Sequence, residues 1–394
     1  MPVLPLVPIE PYTTFSTTNA QRRHAMKYYI TVLTQHVSVS EQFNSFLSAF
    51  LPMALESKAL ADSIVSWASG HLATTDNTYA LVALETHSSA VRNLSESITS
   101  PHYDLALHET NAAACLVLLI SEVCRGDREI WYSHLHGAKS IITSARSGDH
   151  YGVDAFRLSD EGQWVLRNFA YHDVLASVTL GRPPLLDGAY LDGITDVVDS
   201  CVGVATSILK ILADICALEH RLTTDDATPF DARPEFQVLE SRLASWDCSP
   251  VADHDLAHVA YAYRSAAQIV LFRACRHASP STYCPSTDSD EHQCPTKIGH
   301  ALDSLLEAVE NIPLRSLAES ALVFPLFIAG GEAKTAARQN QVRVRLQLTL
   351  EQRQFGNITR ALSILEDLWR RRQDDPEVDW KNVLAEAGGG LILT

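Results

Sequence analysis

The chain has 394 residues, 46% of them hydrophobic, which is enough material for one large buried core. Its 47 acidic residues outnumber 31 lysines and arginines, giving a net charge of −16. Such a chain repels nucleic acid except at a local basic patch, and no apolar run approaches the roughly 18 residues of a membrane span. Eight cysteines scattered singly fit a reducing compartment. We therefore expect a soluble intracellular protein of the nucleus or cytoplasm.

The first 18 residues are proline-rich and lack the basic start of a signal peptide, so we expect them to be extended or disordered. Residues 19–387 form one region, in which apolar residues three and four positions apart predict an all-α, single large multi-helix array. The predicted helices are 19–36, 40–56, 58–71, 79–98, 106–124, 131–145, 161–180, 197–222, 236–246, 256–276, 298–309 and 335–372. Residues 388–394 read as a loose tail, or alternatively as an apolar end that docks on the body.

Two local patterns refine this prediction. Ser38 with Glu41, and Ser316 with Glu319, have the spacing of capping boxes at helix starts. Helix 197–222 carries apolar residues at heptad spacing, which would suit the seam of a homodimer. Three heptads inside a globular chain are more often a buried core helix, and we favour that interpretation.

Metal-binding and catalytic motifs are weak in this sequence. His254 and His258 lie on one helix face, but the acids around them favour helix capping. A second pattern comprises Cys275, His277, Cys284, His292 and Cys294, and it lacks the Cys-x2-Cys element of structural zinc sites. No phosphate loop, dinucleotide fingerprint or nucleophile elbow is present. We expect no metal and no cofactor.

Residues 324–333 mix an apolar run, a proline and a Gly-Gly pair, so no single element explains them. We expect a packed joint whose phenylalanines contact the helix that contains Tyr171. Gly330 and Gly331 would allow two backbones to approach closely. Glu332 would pair with a buried base or cap the next helix.

Polar and aromatic side chains concentrate on two predicted helices. The candidate pocket residues are Trp131, His134, His136, Tyr171, His172, Asp173 and Arg182. We favour a buried structural network in which Asp173 bonds to Arg182 or to a helix end. The same groups could line a ligand pocket. In an enzyme, His134, His172 and Asp173 would be the catalytic groups, since imidazole titrates near neutrality.

Several sequence phrases occur in an order typical of one family: Asn44-Ser-Phe46, Leu51-Pro-Met-Ala54, Trp131-Tyr-Ser-His-Leu-His-Gly-Ala138, Tyr171-His-Asp-Val-Leu-Ala-Ser177, Gly181-Arg-Pro-Pro184, Phe324-Pro-Leu-Phe-Ile-Ala-Gly-Gly331, Leu368-Trp369 and Asp379-Trp380. The chain resembles the fungal-specific transcription factor domain, the helical regulatory region usually found behind a zinc binuclear cluster. The resemblance spans about residues 20–390. It implies an all-helical regulator.

A zinc binuclear cluster needs six cysteines within about 30 residues, followed by a basic stretch. Here the first cysteine is Cys115, and the basic run of residues 370–372 is followed at once by two aspartates. We therefore expect no DNA-binding cluster and no direct contact with nucleic acid. The regulator would act through protein partners of the transcription machinery or a small-molecule effector in a fungal secondary metabolic pathway. The alternative is an enzyme evolved on this scaffold, catalysing a cyclisation, isomerisation or similar acid–base step in natural-product biosynthesis.

Overall fold

The computed structural model describes residues 11–100, 104–126, 129–223, 231–248, 253–277 and 293–394. Their mainly helical structure confirms the predicted all-α multi-helix array. The helices are α1 Pro11–Tyr28, α2 Thr34–Val37, α3 Leu51–Glu56, α4 Lys58–Leu72, α5 Ala80–Ile98, α6 Leu105–Arg125, α7 Ile130–Ser144, α8 Val153–Phe156, α9 Asp160–Leu180, α10 Thr206–Thr223, α11 Arg233–Ser245, α12 His254–His277, α13 Gln293–Glu310, α14 Val323–Glu332, α15 Ala336–Arg353, α16 Gly356–Arg371 and α17 Trp380–Glu386. Short π-helical turns at Tyr29–Leu33 and Phe46–Phe50, and 3-10 turns at Asn77–Tyr79, Gly188–Leu191 and Leu317–Ala321, connect them. Strands β1 Arg146–Ser147 and β2 His150–Tyr151 form an antiparallel hairpin.

Helix α6 is the centre of the N-terminal part of the fold. The Asp104 carboxylate caps its start by accepting a hydrogen bond from the Leu107 amide at 3.0 Å, and Gly126 ends it in the left-handed conformation. Helices α4, α5 and α7 pack along it. In the part of the chain that the structure describes, α6 alone is long and apolar enough to cross a membrane, although charged residues interrupt its apolar run. Since 89% of that apolar stretch is buried inside the fold, α6 has the burial of a core helix.

Helices α9 and α12 form the centre of the remaining fold. Ser159 caps α9 by accepting a hydrogen bond from the Gly162 amide at 2.9 Å, and left-handed Gly181 ends it. Helix α9 contacts α6, α7 and α10, whereas α12 contacts α10, α11, α13 and α14. Part of the predicted heptad helix becomes α10, in which Ile208, Ile211, Ile215 and Leu218 are buried inside this chain. This burial confirms the core-helix interpretation for these residues of α10.

The segment 324–333 is largely a single helix, α14, so the prediction that no one element could hold this sequence is wrong. Pro325 lies in the first turn, where the amide it lacks would have had no helical partner. The Phe324 ring lies 5.5 Å from that of Tyr263 on α12, and the Phe327 ring lies 5.4 Å edge-on from that of Trp380 on α17. The aromatic partners of α14 are therefore Tyr263 and Trp380. They do not belong to the helix that contains Tyr171, which was the predicted partner.

The two glycines of α14 make room for side chains and not, as predicted, for another backbone. A Cβ at Gly330 would lie 2.6 Å from Leu365 Cδ1, and one at Gly331 would lie 2.7 Å from Trp380 Cδ1. The Trp369 indole donates a hydrogen bond to the Gly330 carbonyl at 2.9 Å. Helix α14 is thereby held against α16 and α17.

A buried ion cluster fixes the end of α14. Arg273, on α12, is only 2% exposed and pairs with both Glu332 and Asp379, the latter at 2.6 Å. Its guanidinium also lies 5.0 Å from the centre of the Trp380 ring. The prediction that Glu332 pairs with a buried base is confirmed.

Several helix boundaries differ from the predictions. Helix α1 begins at Pro11, so residues 11–18 are helical and not extended; proline suits a first helical turn. The predicted helix 40–56 begins only after Asn44, whose carbonyl accepts hydrogen bonds from the Leu47 and Ser48 amides. Residues before Thr206 form turns closed by pairing of Asp199 with Gly203. Predicted helix 335–372 is two helices, because Gln354 adopts a left-handed conformation between α15 and α16.

Neither predicted capping box forms. The Ser38 hydroxyl donates to the Ser40 carbonyl at 2.8 Å, within a loop. The Ser316 side chain makes no cap bond, and Glu319 instead accepts from the Arg315 amide at 2.6 Å. Both serines precede turns, which explains why the pattern misleads.

Residues 388–394 are not a loose tail; the alternative, docking on the body, is what the structure shows. Leu391, Ile392 and Leu393 are buried. Trp131 donates to the Gly390 carbonyl at 3.2 Å, and Thr179 donates to the Leu391 carbonyl at 2.6 Å. The tail therefore bridges α7 and α9.

Candidate functional site

The candidate residues of α7 and α9 lie in three separate places, although these helices contact each other. Asp173, Arg182, Trp131 and His136 surround the turn that follows α9. Tyr171 and His172 line a cavity on another side of α9. His134 faces His87 on α5, with 6.2 Å between ring centres.

Asp173 belongs to a structural network, as the favoured interpretation predicted. Its fully buried carboxylate accepts hydrogen bonds from the Arg182 guanidinium at 3.1 Å and from the Leu185 amide at 2.6 Å. Burial raises the pKa of the Asp173 carboxyl, and the Arg182 charge opposes that rise. These bonds fix the turn after Gly181.

An open groove lies beside this network. The Arg182 guanidinium stands 5.2 Å from the centre of the Tyr132 ring, and the His136 ring meets Tyr132 at 4.4 Å. The groove is lined by Glu129, Trp131, Tyr132, Leu180, Arg182, Gly388 and Gly390. Burial and the neighbouring Arg182 charge lower the pKa of His136. The tail backbone forms one wall of the groove. Trp131 holds the tail there by donating a hydrogen bond to the Gly390 carbonyl.

The cavity beside α9 is mostly apolar, and it gathers residues from distant parts of the chain. His36, His172, Ser320 and Arg353 contribute its polar lining. Within the described residues, His36 Nδ1, both His172 ring nitrogens, Ser320 Oγ and Arg353 Nε are buried without a hydrogen-bond partner. Buried polar atoms ordinarily find partners, so this concentration marks the cavity as a candidate binding site.

Arg353 anchors a second set of polar contacts beside the cavity. Its guanidinium donates to the His36 carbonyl and, at 3.5 Å, to the Ser316 carbonyl. His71 Nε2 donates to the Arg353 carbonyl at 2.8 Å, while its Nδ1 accepts from the Tyr28 hydroxyl at 2.8 Å. None of these residues was a sequence candidate. Their positions in the chain carry no shared motif that would have revealed them.

We expect the protein to lose stability as pH falls below about 6.5. Burial lowers the pKa of His172 to about 3 and that of His36 to about 4, while unfolded imidazoles keep a pKa of about 6.5. Between these values the unfolded chain binds protons that the folded chain does not. The free energy of unfolding should therefore fall with decreasing pH, by roughly 1.4 kcal/mol per pH unit for each histidine.

Urea denaturation at pH 7, 6 and 5 measures this slope. A His172→Leu variant should lose its share of the acid sensitivity, because the neutral side chain replaces a group that the unfolded chain protonates. Exposed His150→Gln is the control and should keep the slope of the unmodified chain. Equal slopes for the unmodified chain and His172→Leu would show that His172 does not titrate as described.

The three candidate catalytic groups do not assemble. Asp173 bonds to Arg182 and to backbone amides, and His172 faces the cavity. His134, on α7, faces His87 on α5. A general base oriented by a carboxylate needs the two within hydrogen-bond reach. The structure gives no such pair among these three residues.

Comparison with known proteins identifies the family to which this chain belongs. The family described as the fungal specific transcription factor domain matches residues 24–394. An uncharacterised transcriptional regulatory protein of Schizosaccharomyces pombe, C965.10, is 21% identical over 99% of this chain and 75% of its own length. The transcriptional activator protein UGA3 of Saccharomyces cerevisiae is 21% identical over 88% of this chain and 73% of its own length. No solved structure matches. The chain therefore belongs to the fungal specific transcription factor domain family.

Proposed function

We propose that this chain is the regulatory region of a fungal transcription regulator and that the cavity lined by His36, His172, Ser320 and Arg353 is its effector site. The observation that carries this proposal is the set of buried, unpartnered polar atoms around the cavity. Two relatives carry names of transcriptional regulators. We propose accordingly that this chain acts in the nucleus through protein partners.

The polar lining favours a small ligand with hydrogen-bonding groups and a negative charge. Burial lowers the pKa of Arg353 to about 10, so its guanidinium stays cationic at neutral pH. Within the described residues, no carboxylate lies within ion-pair distance of it; its partners are backbone carbonyls. Both cavity imidazoles are neutral, so each offers one donor and one acceptor. An anionic ligand would satisfy groups that the protein leaves unpaired.

The size of the cavity implies movement on binding. The cavity is small: the volume open to the centres of water molecules is about 30 Å³. This is room for on the order of two waters. A larger effector must separate the surrounding elements. Because His36 belongs to the N-terminal helices and Arg353 to the C-terminal ones, binding would change how these parts pack. That change would be the regulatory signal, in a pathway of fungal secondary metabolism.

A reporter assay tests the proposal. The chain is fused to a heterologous DNA-binding domain and expressed in yeast with a matching reporter gene. We expect the fusion to change reporter output relative to the DNA-binding domain alone, and the unfused chain to have no effect. His172→Leu should alter the output of the fusion several-fold while the protein stays folded, since leucine replaces two unpartnered nitrogens with apolar atoms.

His150→Gln, on the exposed hairpin, is the matched control and should behave like the unmodified fusion. Output equal to that of the DNA-binding domain alone would contradict a regulatory role. Unchanged output for a folded His172→Leu fusion would contradict the cavity as effector site, and leave the regulatory role standing.

A further inference from the structure

A second cluster of polar side chains lies away from the cavity, where α5, α6 and α7 meet. His87, Glu122 and His134 each place one potential ligand atom so that all three atoms lie within 4.8 Å of one another. His87 Nδ1 is 3.7 Å from Glu122 Oε1. We propose that these three residues form a binding site for zinc or a similar transition-metal ion, with water as the fourth ligand.

The ligand set fits this class of ion. Two imidazoles and one carboxylate, with an open fourth position, bind zinc in known sites, with bonds of about 2.0–2.2 Å. Tetrahedral geometry then places ligand atoms about 3.3 Å apart. The largest separation allowed by the 4.8 Å limit must close by about 1.5 Å to reach that spacing. Calcium and magnesium prefer oxygen ligands, so the imidazoles argue against them.

The surroundings favour metal binding. Glu122 is 5% exposed and supplies negative charge at the same point. The three ligands come from three helices, so an ion would tie α5, α6 and α7 together.

One side chain competes with the ion. The Arg125 guanidinium donates to Glu122 Oε1 at 2.6 Å. Its side chain is 43% exposed, so it has room to turn toward solvent when an ion arrives. Removing this cation should strengthen metal binding, which is the reverse of what loss of a merely structural contact would do.

Other histidines and cysteines of the chain could also bind zinc weakly. His254 and His258 lie near the start of α12 with 4.5 Å between ring centres, but His254 is largely exposed. The region around Cys284 and His292 lies outside the described residues. Any zinc assay must therefore separate the α5–α6–α7 cluster from these other groups by mutation.

The test is titration of the chelator-treated full chain with zinc chloride by calorimetry, together with thermal melting. We expect one tight ion per chain and a melting temperature raised by about 5 °C at saturation. His87→Ala and His134→Ala should each weaken binding by more than about 100-fold, since loss of an outer partner alone costs up to that much. Arg125→Ala should tighten binding several-fold. His258→Ala is the matched control and should change nothing.

Circular dichroism confirms that each variant is folded, and Glu122→Gln serves if a histidine variant is not. Co²⁺ in place of zinc reports four-coordination through its visible absorption. No tight ion in the unmodified chain would overturn the proposal. So would zinc binding that survives His134→Ala but disappears in His258→Ala, or that is weakened by Arg125→Ala.

Discussion

Truncating Phe327 to alanine is expected to lower the free energy of unfolding by about 3–5 kcal/mol. The ring is fully buried in α14 and meets Trp380 edge-on at 5.4 Å. Truncation removes this contact and leaves a cavity that the surrounding helices fill only in part, so the cavity cost adds to the lost transfer energy. Much of the protein should then be insoluble at its working temperature.

Thermal melting of Phe327→Ala measures the effect, with Leu84→Ala as the matched control. Leu84 is 65% exposed on α5, so its truncation should leave the midpoint almost unchanged. The competing hypothesis is that residues 324–333 form a mobile lid over a pocket. An unmoved midpoint for Phe327→Ala would support that hypothesis and contradict core packing.

Replacing Arg273 by methionine is expected to cost a similar amount, about 3–5 kcal/mol, for an electrostatic reason. The substitution removes the Arg273 cation from beside the buried Glu332 carboxylate, while Asp379 is partly exposed and better solvated. Removing both charges in Arg273→Met/Glu332→Leu should recover much of that loss, because the buried Glu332 carboxylate is then removed together with the Arg273 cation. Chemical denaturation of the two variants gives this difference directly.

The exposed ion pair of Arg338 with Asp303 provides the control. Arg338→Met should cost no more than about 1 kcal/mol, since surface pairs are well solvated in either state. If Arg273→Met costs no more than Arg338→Met, the buried cluster does not stabilise the fold in the way described. If the double variant is less stable than Arg273→Met, the loss of stability in Arg273→Met comes from packing and not from the Glu332 charge.

Local patterns predicted much of this fold. Periodic apolar residues located most helices, because a helix that buries one face must repeat that face every three or four residues. Asp173 and Arg182 are close in sequence, so their pairing across one turn was predictable. The break at Gln354 was not, because a left-handed residue between two amphipathic helices leaves the apolar period nearly unchanged.

The sites depend on tertiary packing and were much harder to predict. His36, His172 and Arg353 meet only after helices from both ends of the chain have packed on α9. His87, Glu122 and His134 likewise come from three helices, and no spacing rule joins them. His134 was a sequence candidate, but its partners were not, since a lone histidine on a helix gives no sign of what the next helix brings to it.

The docked tail has a consequence for synthesis in the cell. The tail is held on α7, α9 and α16 by hydrogen bonds that Trp131, Thr179 and Asn357 donate to its carbonyls, the last to Thr394 at 2.7 Å. Those helices are translated earlier, so the apolar surface that the tail covers stays open until residues 391–393 have left the ribosome. A chain that stalls shortly before them would present this surface to chaperones and to other nascent chains. Ribosome stalling within the tail should therefore leave a product prone to aggregation.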